Sequence, residues 1–343
     1  MTGAAGFLGG HLVDMLLERG DEVRALVRPI EDVKRLQELK RVEIVHGDLT
    51  DPESLKQAVK DIECVYNVAA KTGPWGPEQL YWNVNVRGVV DLVEAAMEAG
   101  VRRVVHTSSI TVYGHHLRGL VTENYPFHAE DNPYSRTKIA SERLLHNLVQ
   151  DQGAPVVIVR PGWIYGPRDS ASFARFVEMV ESGKGFVIGT GHNVVPLVYV
   201  RDVAQGLICA GDAGDEAVGE AYTISDDMRV SQGEYLNTIA DFLGVPPVTR
   251  HLPYRPLYTA ARSAELLWSS LGRRNAAPPP VTTYGITLLG GDQLFSIDKA
   301  RRQLGYAPAY DLMQGLNEGI KWYRSGQRTG STSHEKLEAV SNI

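Results

Sequence analysis

Apolar residues occur in two different patterns in the first half of the chain. Short runs rich in valine and isoleucine, typical of buried strands, occur at residues 22–28, 42–48, 64–70, 101–109 and 156–162. Between them, at residues 7–17, 54–60, 85–99 and 134–150, apolar residues return every three or four positions, as in amphipathic helices. This alternation predicts an α/β protein with a doubly wound parallel sheet. Ligands of such sheets bind beyond the carboxyl ends of the strands.

The regular alternation ends near residue 162. Helical patterns continue at residues 173–181, 203–210, 235–243 and 260–271, but the strand-like runs between them are short and isolated. We therefore predict a first domain over residues 1–162, to which later segments also return, and a smaller mixed α/β lobe over residues 163–325 that closes over the ligand. The polar, Ser/Thr-rich segment 326–343 is predicted to be a loose tail.

The composition narrows the class of partner. The 343 residues are 43% hydrophobic and 22% charged, with a net charge of -6, which argues against a general binder of nucleic acids or anionic membranes. No run reaches the roughly 18 apolar residues of a membrane span. Cys64 and Cys209 stand in apolar runs without metal-ligand spacing, so we expect reduced thiols and no metal site. A cytoplasmic protein that acts on a small molecule fits these features.

The first ten residues, MTGAAGFLGG, have glycines at the spacing of a phosphate-binding turn that leads into a helix. In a Rossmann-type sheet, Gly3 permits the tight bend, Gly6 lets the backbone approach a pyrophosphate, and Gly9 lets the helix pack closely. The helix N-terminus then faces the phosphates. Taken alone, the pattern also fits the glycine-rich start of a surface helix.

Two later positions bear on the choice of dinucleotide. Arg28 ends the next predicted strand, where NAD sites present an acidic side chain to the ribose 2'-hydroxyl. Arginine there suits a 2'-phosphate, so we prefer NADP over NAD; an ordinary solvated arginine is the alternative. Asp48 and Leu49, after the following strand, are placed to touch the adenine. Alternatively, Asp48 caps a helix that begins near Pro52.

A second group of polar residues is placed for proton transfer. Tyr134 and Lys138 stand four positions apart on a helical pattern and therefore share a face. The lysine charge should favour the phenolate and bring the pKa of Tyr134 from about 10 towards neutrality, making it a candidate general acid/base. Ser109, with Ser108 in reserve, ends a predicted buried strand, where its hydroxyl can bond the same substrate oxygen. The alternative is a chance Tyr–Lys pair on a solvated face.

Taken in order, Thr2-Gly3-x-x-Gly6-x-x-Gly9, Ser109, Tyr134-x-x-x-Lys138 and RPGWIYGPRD resemble the extended short-chain dehydrogenase/reductase family, from residue 2 to about residue 323. The resemblance implies that Tyr134 exchanges a proton with the reacting oxygen. It also implies that Lys138 holds the nicotinamide ribose and that Ser109 orients the substrate. Hydride passes to or from nicotinamide C4.

The resemblance implies further site residues. Asn85 matches the asparagine that braces the active-site helices of the family, a structural role that can extend to proton relay. The implied cofactor-binding residues are Thr2, Gly3, Gly6, Phe7, Leu8, Gly9, Arg28, Asp48, Leu49, Ala69, Ala70, Lys71, Tyr134, Lys138 and Pro161. The implied substrate-binding residues are Trp75, Ser108, Ser109, Gly162 and Trp163. Helices at 85–99 and 134–150 pair between subunits in relatives, so a homodimer is a candidate assembly.

The start of the chain departs from the family pattern. A buried strand normally precedes the glycine turn and aims it at the pyrophosphate, but only Met1 precedes it here. The absent first strand would lie centrally, between the second and fourth strand-forming segments. Its absence would leave buried ladder groups unpaired, at roughly 1 to 3 kcal/mol each. We therefore expect a late assigned start or a truncated chain.

Two further departures concern the branch of the family. Nucleotide-sugar epimerases and dehydratases usually carry an asparagine before Tyr-Gly-Pro and an arginine before the strand matching PLVYV, whereas this chain has Trp163-Ile164 and the segment NVVP there. The AAKTGPWGP loop and the LPYRPLYTAA segment instead resemble 3-beta-hydroxysteroid and sterol-carboxylate dehydrogenases and 2-alkyl-3-oxoalkanoate reductases. Trp75, Trp163 and Tyr258 suit an apolar ligand pocket, although core packing would explain each of them as well.

The sequence thus predicts an NAD(P)-dependent oxidoreductase that interconverts a hydroxyl and a ketone on a bulky apolar substrate, steroid-like or a beta-keto or hydroxy acid. Arg28 favours NADPH and reduction. A nucleotide-sugar epimerase or dehydratase is one alternative. A non-catalytic NADP-sensing regulatory protein is an alternative of another class, against which the intact Ser109, Tyr134 and Lys138 argue.

Overall fold

The computed structural model of the chain describes residues 1–115, 117–273, 278–279 and 281–326. Its strands are β1 (Val23–Val27), β2 (Val42–His46), β3 (Cys64–Asn67), β4 (Arg103–Thr107), β5 (Leu120–Val121), β6 (Val156–Pro161), β7 (Trp163–Tyr165), β8 (Val187–Ile188), β9 (Leu197–Tyr199), β10 (Ala221–Ile224), β11 (His251–Leu252) and β12 (Leu294–Phe295). Its α-helices are α1 (Phe7–Arg19), α2 (Lys34–Glu38), α3 (Pro52–Val59), α4 (Glu78–Trp82), α5 (Gly88–Glu98), α6 (Pro133–Gln152), α7 (Phe173–Glu181), α8 (Val200–Asp212), α9 (Gln232–Leu243), α10 (Tyr254–Ser270), α11 (Thr283–Gly290), α12 (Asp298–Leu304) and α13 (Leu312–Arg324). A π-helix spans Asn83–Arg87, and short 3-10 helices span Ile110–Tyr113 and Asp215–Ala217.

Six parallel strands form the large sheet, in the order β2, β1, β3, β4, β6 and β10. Alternate residues of a strand point to opposite faces, so Val104 and Val156 pack with α3, α5 and α6, while Val105 and Val157 pack with α1 and α8. Both faces are therefore covered by helices. The predicted doubly wound, Rossmann-type α/β fold is confirmed.

Met1 and Thr2 occupy the position between β1 and β3 at which the first strand was predicted to be absent. Leu26 N donates to Met1 O at 2.8 Å, and Thr2 N donates to Tyr66 O at 3.0 Å, so these two residues join the halves of the sheet. Below them, towards the amino ends of the strands, lies a cavity of about 790 Å³ lined in part by Arg24 and Cys64. The glycine turn is thus held in the sheet by a two-residue bridge.

The second half of the chain builds three small parallel pairs, β7 with β9, β8 with β11, and β5 with β12. Helices α7, α9 and α13 pack against one another, and α10 packs against α11. Part of this half returns to the large sheet, because β10 pairs with β6 and α8 packs on α1. Of the predicted tail, residues 327–343 lie outside the described residues.

Membrane-spanning helices and metal-binding clusters are both absent from the described residues. No helix among them has both the length and the apolar character needed to cross a bilayer. No group of three or more His, Cys, Asp or Glu side chains among them is arranged to hold a metal ion.

Candidate active site

The glycine turn is fixed by contacts that exclude any side chain. Gly3 has a φ of 70°, and a Cβ added to it would lie 2.8 Å from Ala69 N. A Cβ at Gly9 would lie only 1.9 Å from Gly3 O, and one at Gly6 would lie 3.2 Å from the same oxygen. The three spaced glycines therefore let α1, the turn and the segment after β3 come into backbone contact.

Thr2 ties this turn to the end of β3. Its hydroxyl donates to Asn67 Oδ1 at 2.7 Å and accepts from Val68 N at 3.1 Å and Ala69 N at 3.0 Å. All three partners belong to β3 or to the loop after it. Ala69, Ala70 and Lys71 are consequently held beside the glycine turn, where they were predicted to meet the cofactor.

The N-terminus of α1 fits a bound phosphate. Gly6 is the N-cap and provides no side chain to cap the first turn, and no acidic residue occurs in that turn. Leu8 is buried, whereas Phe7 is half-buried and its ring meets His11 edge-on at 5.9 Å. Free N–H groups and the positive end of the helix dipole are what an anion needs at such a site.

The residues predicted to meet the adenosine lie at the carboxyl ends of β1 and β2. Arg28 is half-exposed, and its guanidinium pairs with Glu31 at 3.0 Å. Asp48 Oδ1 accepts from Thr50 N at 2.8 Å. The alternative that Asp48 caps the following helix is wrong, because Asp51 is the N-cap of α3 and accepts from the Ser54 N–H. The sequence carried a signal for Asp51, because Pro52 directly follows it and proline favours the first position of a helix.

Asn85 connects the loop after β3 with α6. Its Oδ1 accepts from Lys71 N at 2.7 Å, and its Nδ2 donates to Lys71 O at 2.9 Å and to Thr137 Oγ1 at 3.1 Å. Asn85 lies in the π-helix, and it is 1% exposed. Every polar atom of the amide is thus used to hold two segments of the site, which agrees with a bracing role.

Ser109, which follows the carboxyl end of β4, lies close enough to Tyr134 for its hydroxyl to lower the pKa of the phenol. Lys138, one turn later on α6, donates from Nζ to Thr107 O at 2.6 Å, and its Nζ lies 5.9 Å from the centre of the Tyr134 ring. Ser109 also accepts from Thr111 N at 3.2 Å, which fixes its side chain. The structure therefore brings the predicted serine, tyrosine and lysine to one place.

The protonation of this group differs from the sequence-based expectation. Burial raises the pKa of Tyr134 to about 12, with the Ser109 hydrogen bond acting in the opposite direction. Burial also lowers the pKa of Lys138 to about 8, although the charge of Glu142 acts to raise it. The pKa of Tyr134 is thus not brought towards neutrality, contrary to the expectation, because burial of the phenol disfavours the phenolate. Tyr134 is therefore a protonated donor at neutral pH.

Not all predicted substrate contacts lie together. The Ser108 hydroxyl donates to Glu142, inside the fold. Trp163 packs against Phe176 and Tyr235, with ring centres 5.0 and 5.7 Å apart, and its Nε1 donates to Ser172 Oγ at 3.1 Å. Gly162, beside Pro161 at the end of β6, is so close to Pro196 O that a Cβ would lie 2.5 Å from it. These contacts of Ser108, Trp163 and Gly162 are thus with other residues inside the fold.

A cavity of about 310 Å³ opens next to the N-terminus of α6. Trp75 and Tyr258, both suggested from the sequence as pocket residues, line it, and Trp75 Nε1 donates to Arg273 O at 3.3 Å. Sequence reasoning missed the lining residues Tyr284 and Leu266. No local motif marks them, because α10 and α11 reach the cavity only through tertiary packing.

A family comparison agrees with this geometry. Residues 1–225 match the model of the NAD dependent epimerase/dehydratase family. The chain belongs to this family. Nicotinamide dinucleotide is therefore its cofactor, and the uncapped α1 terminus and the glycine contacts fit that cofactor.

Individual relatives within the family indicate which type of reaction the chain catalyses. It is 32% identical to a 2-alkyl-3-oxoalkanoate reductase of Stenotrophomonas maltophilia, over 92% of this chain and 96% of that protein. It is 30% identical to a 3-beta-hydroxysteroid dehydrogenase of Mycolicibacterium neoaurum, over 94% of this chain and 90% of that protein. The crystal structure of gox2253 superposes with a TM-score of 0.79 at 30% identity, over 95% of this chain and 98% of that one. The chain is thus an oxidoreductase that interconverts a hydroxyl and a ketone. The alternative of a non-catalytic NADP-sensing regulatory protein does not agree with these relatives.

Proposed function

We propose that this protein is an NADP-preferring ketone reductase that acts on a bulky apolar substrate, with Tyr134 as the proton donor. The observation that carries the proposal is the placement of Tyr134 next to Lys138 and Ser109, at the same sheet edge as the glycine turn. The bound reduced nicotinamide supplies the hydride. Tyr134 Oη passes its proton to the ketone oxygen, and Ser109 holds that oxygen by a hydrogen bond. The raised pKa of Tyr134 keeps its hydroxyl protonated at neutral pH, and this is the form that ketone reduction requires.

The cavity offers apolar contacts beside charged ones. Trp75, Tyr258, Leu266 and Tyr284 supply the apolar part of its lining, and Glu78, Glu130, Asp131, Arg136, Arg262 and Glu265 supply the charged part. The two arginines of the lining are already paired, Arg136 with Glu78 at 3.0 Å and Arg262 with Asp131 at 3.0 Å. Because both pairs are partly exposed, they do not by themselves exclude a diphosphate; the epimerase reaction is the weaker proposal because the relatives named above are a reductase and a dehydrogenase. The relatives' substrates, a 2-alkyl-3-oxoalkanoate and a 3-beta-hydroxysteroid, are the two classes to test first.

Cofactor preference and assembly are proposed on separate grounds. Arg28 supports NADP, because its guanidinium stands at the end of β1 and can exchange Glu31 for a 2'-phosphate. A homodimer through α5 and α6 is supported by the exposed Leu144 on α6; sedimentation velocity that shows only monomer would exclude it. We also place the enzyme in the cytoplasm, which fractionation of the source cells would test.

Substitution of Tyr134 by phenylalanine tests the reaction. Tyr134→Phe should lower the rate of ketone reduction roughly 10²–10⁴-fold, because it removes the proton donor, and should leave the affinity for NADPH unchanged. Tyr222→Phe is the matched control, since its hydroxyl bonds Gln303 away from the site. NADPH oxidation in the presence of each ketone is the measurement. Turnover by Tyr134→Phe at the wild-type rate would refute the proposal.

A further inference from the structure

A buried ion pair lies directly behind the reacting group. Arg160, on β6, and Glu142, on α6, have side chains that are 5% and 2% exposed. Arg160 Nε lies 3.0 Å from Glu142 Oε1, and its Nη2 lies 2.5 Å from Glu142 Oε2. Burying two charges is costly even when they pair well, so such a pair is weak evidence of a purely stabilising role.

Each partner of this pair also holds a segment that carries a reacting residue. Glu142 accepts from the hydroxyl of Ser108, the residue before Ser109. Arg160 Nη1 donates to Tyr113 Oη at 2.6 Å, and Tyr113 ends the short helix that follows Ser109. Glu142 itself lies one helical turn after Lys138 on α6. The pair therefore contacts both sides of Ser109 and the helix that bears Tyr134 and Lys138.

Glu142 also sets the charge that faces Lys138. Three ionisable side chains lie around Lys138: His106 from β4, and Tyr134 and Glu142 from α6. The guanidinium of Arg160, from β6, lies on the far side of Glu142. Tyr81 of α4 faces Tyr134. Burial, with the lysine charge, holds the pKa of His106 well below its usual value, so this imidazole is neutral. Tyr134 is neutral as well, because its pKa is raised. Glu142 is the group that raises the pKa of Lys138 against burial.

We propose that Glu142 and Arg160 are a positioning pair for the reaction: Glu142 presents its negative charge to Lys138 and fixes Ser108, and Arg160 holds Glu142 in place and fixes the segment after Ser109. Neither residue touches the substrate. The inference rests on the proposed function, since it assumes that Tyr134 and Lys138 act in the reaction.

The test is the pH dependence of ketone reduction with NADPH, measured from pH 6 to pH 10. In the wild type, kcat should fall as the pH rises through about 8, where Lys138 loses its proton. Glu142→Gln keeps the shape of the side chain but removes the negative charge, so the pKa of Lys138 should fall further. The alkaline limb should then move down by roughly one pH unit or more, with most of the rate kept at pH 6. Glu142→Asp, which keeps the charge, should restore the limb.

Asp202→Asn is the matched control. Asp202 is 1% exposed and accepts from Ala309 N at 2.8 Å, so its neutralisation removes a buried carboxylate far from the reacting group. It should cost stability without moving the alkaline limb. A structural role of Glu142 would give the same result as this control, and a Glu142→Gln limb that coincides with the wild type would overturn the proposal.

A second variant covers the case in which Glu142→Gln does not fold. The double variant Glu142→Gln/Arg160→Met removes both charges and leaves neither unpaired in the interior. Its limb should lie below that of the wild type, by less than in Glu142→Gln because loss of the Arg160 charge acts in the opposite direction. Coincidence with the wild type would again overturn the pair's role. Tyr134→Phe separates the two proposals: if it remains active the proposed function fails, whereas if it is inactive and the limbs coincide only the positioning pair fails.

Discussion

The cofactor side of the molecule and the second lobe build their parts of the site in opposite ways. On the cofactor side, backbone contacts among three closely spaced glycines, and of Gly3 with Ala69 in the loop after β3, set the geometry. In the lobe, the cavity wall comes from side chains of α10 and α11, which follow Tyr134 by more than a hundred residues. Backbone geometry can be read from spacing, whereas a side-chain wall depends on packing between distant segments. The two regions should therefore respond differently to substitution.

The largest effect is expected at Gly9. Gly9→Ala would place a methyl group 1.9 Å from Gly3 O, so the turn or α1 must shift and the phosphate site should be lost. Gly10→Ala is the matched control in the same helix, since its methyl group would meet only the guanidinium ends of Arg168 and Arg35, at 3.3 and 3.5 Å. Thermal unfolding with and without NADPH measures both. At 100 times its dissociation constant, NADPH should stabilise wild type and Gly10→Ala by about 2.7 kcal/mol.

The outcome for Gly9→Ala decides how far backbone contact controls the cofactor side. We expect its melt to be unaffected by NADPH. A full NADPH shift in Gly9→Ala would show that the turn adapts to a side chain, and the contrast with the lobe would then lose its basis.

This contrast also explains what the sequence could predict. Local sequence periods of two, three or four residues predict the parallel sheet, the glycine turn and the shared helix face of Tyr134 and Lys138. All three features are present in the structure. The choice of Asp51 over Asp48 as helix cap could also have been made from the sequence, because Pro52 follows Asp51 and proline favours the first position of a helix. The raised pKa of Tyr134 required knowledge of burial, and the Glu142–Arg160 pair required the packing of α6 on β6. Long-range contacts of this kind leave no mark in a single sequence.

The next effect concerns two aromatic residues of the lobe. Trp163→Ala should lower the free energy of unfolding by about 3–5 kcal/mol, because the indole packs between Phe176 and Tyr235. Tyr258→Ala, at the cavity wall, should change the free energy of unfolding by less than about 1 kcal/mol. It should raise KM for an apolar ketone roughly tenfold, which corresponds to a loss of about 1.4 kcal/mol in substrate binding. Denaturant unfolding and steady-state kinetics separate the two results. If Trp163→Ala instead raised KM and left stability intact, Trp163 would be a substrate contact, as first predicted from the sequence.

The smallest effect should be the loss of cofactor preference at Arg28, and it compares the two ends of one strand. Arg28 follows β1 at its carboxyl end and pairs with Glu31, while Arg24 lies towards the amino end and pairs with Glu43 at 2.7 Å. A charged hydrogen bond to a 2'-phosphate is worth about 1.5–3 kcal/mol, so Arg28→Ala should weaken NADPH binding roughly 10- to 100-fold and leave NADH binding unchanged. Arg24→Ala should alter neither, because ligands reach this sheet at the carboxyl ends of its strands. Fluorescence titration with both cofactors gives the four dissociation constants. Equal loss of NADPH and NADH affinity in Arg28→Ala would mean that the arginine supports the fold of the site and does not contact the 2'-phosphate.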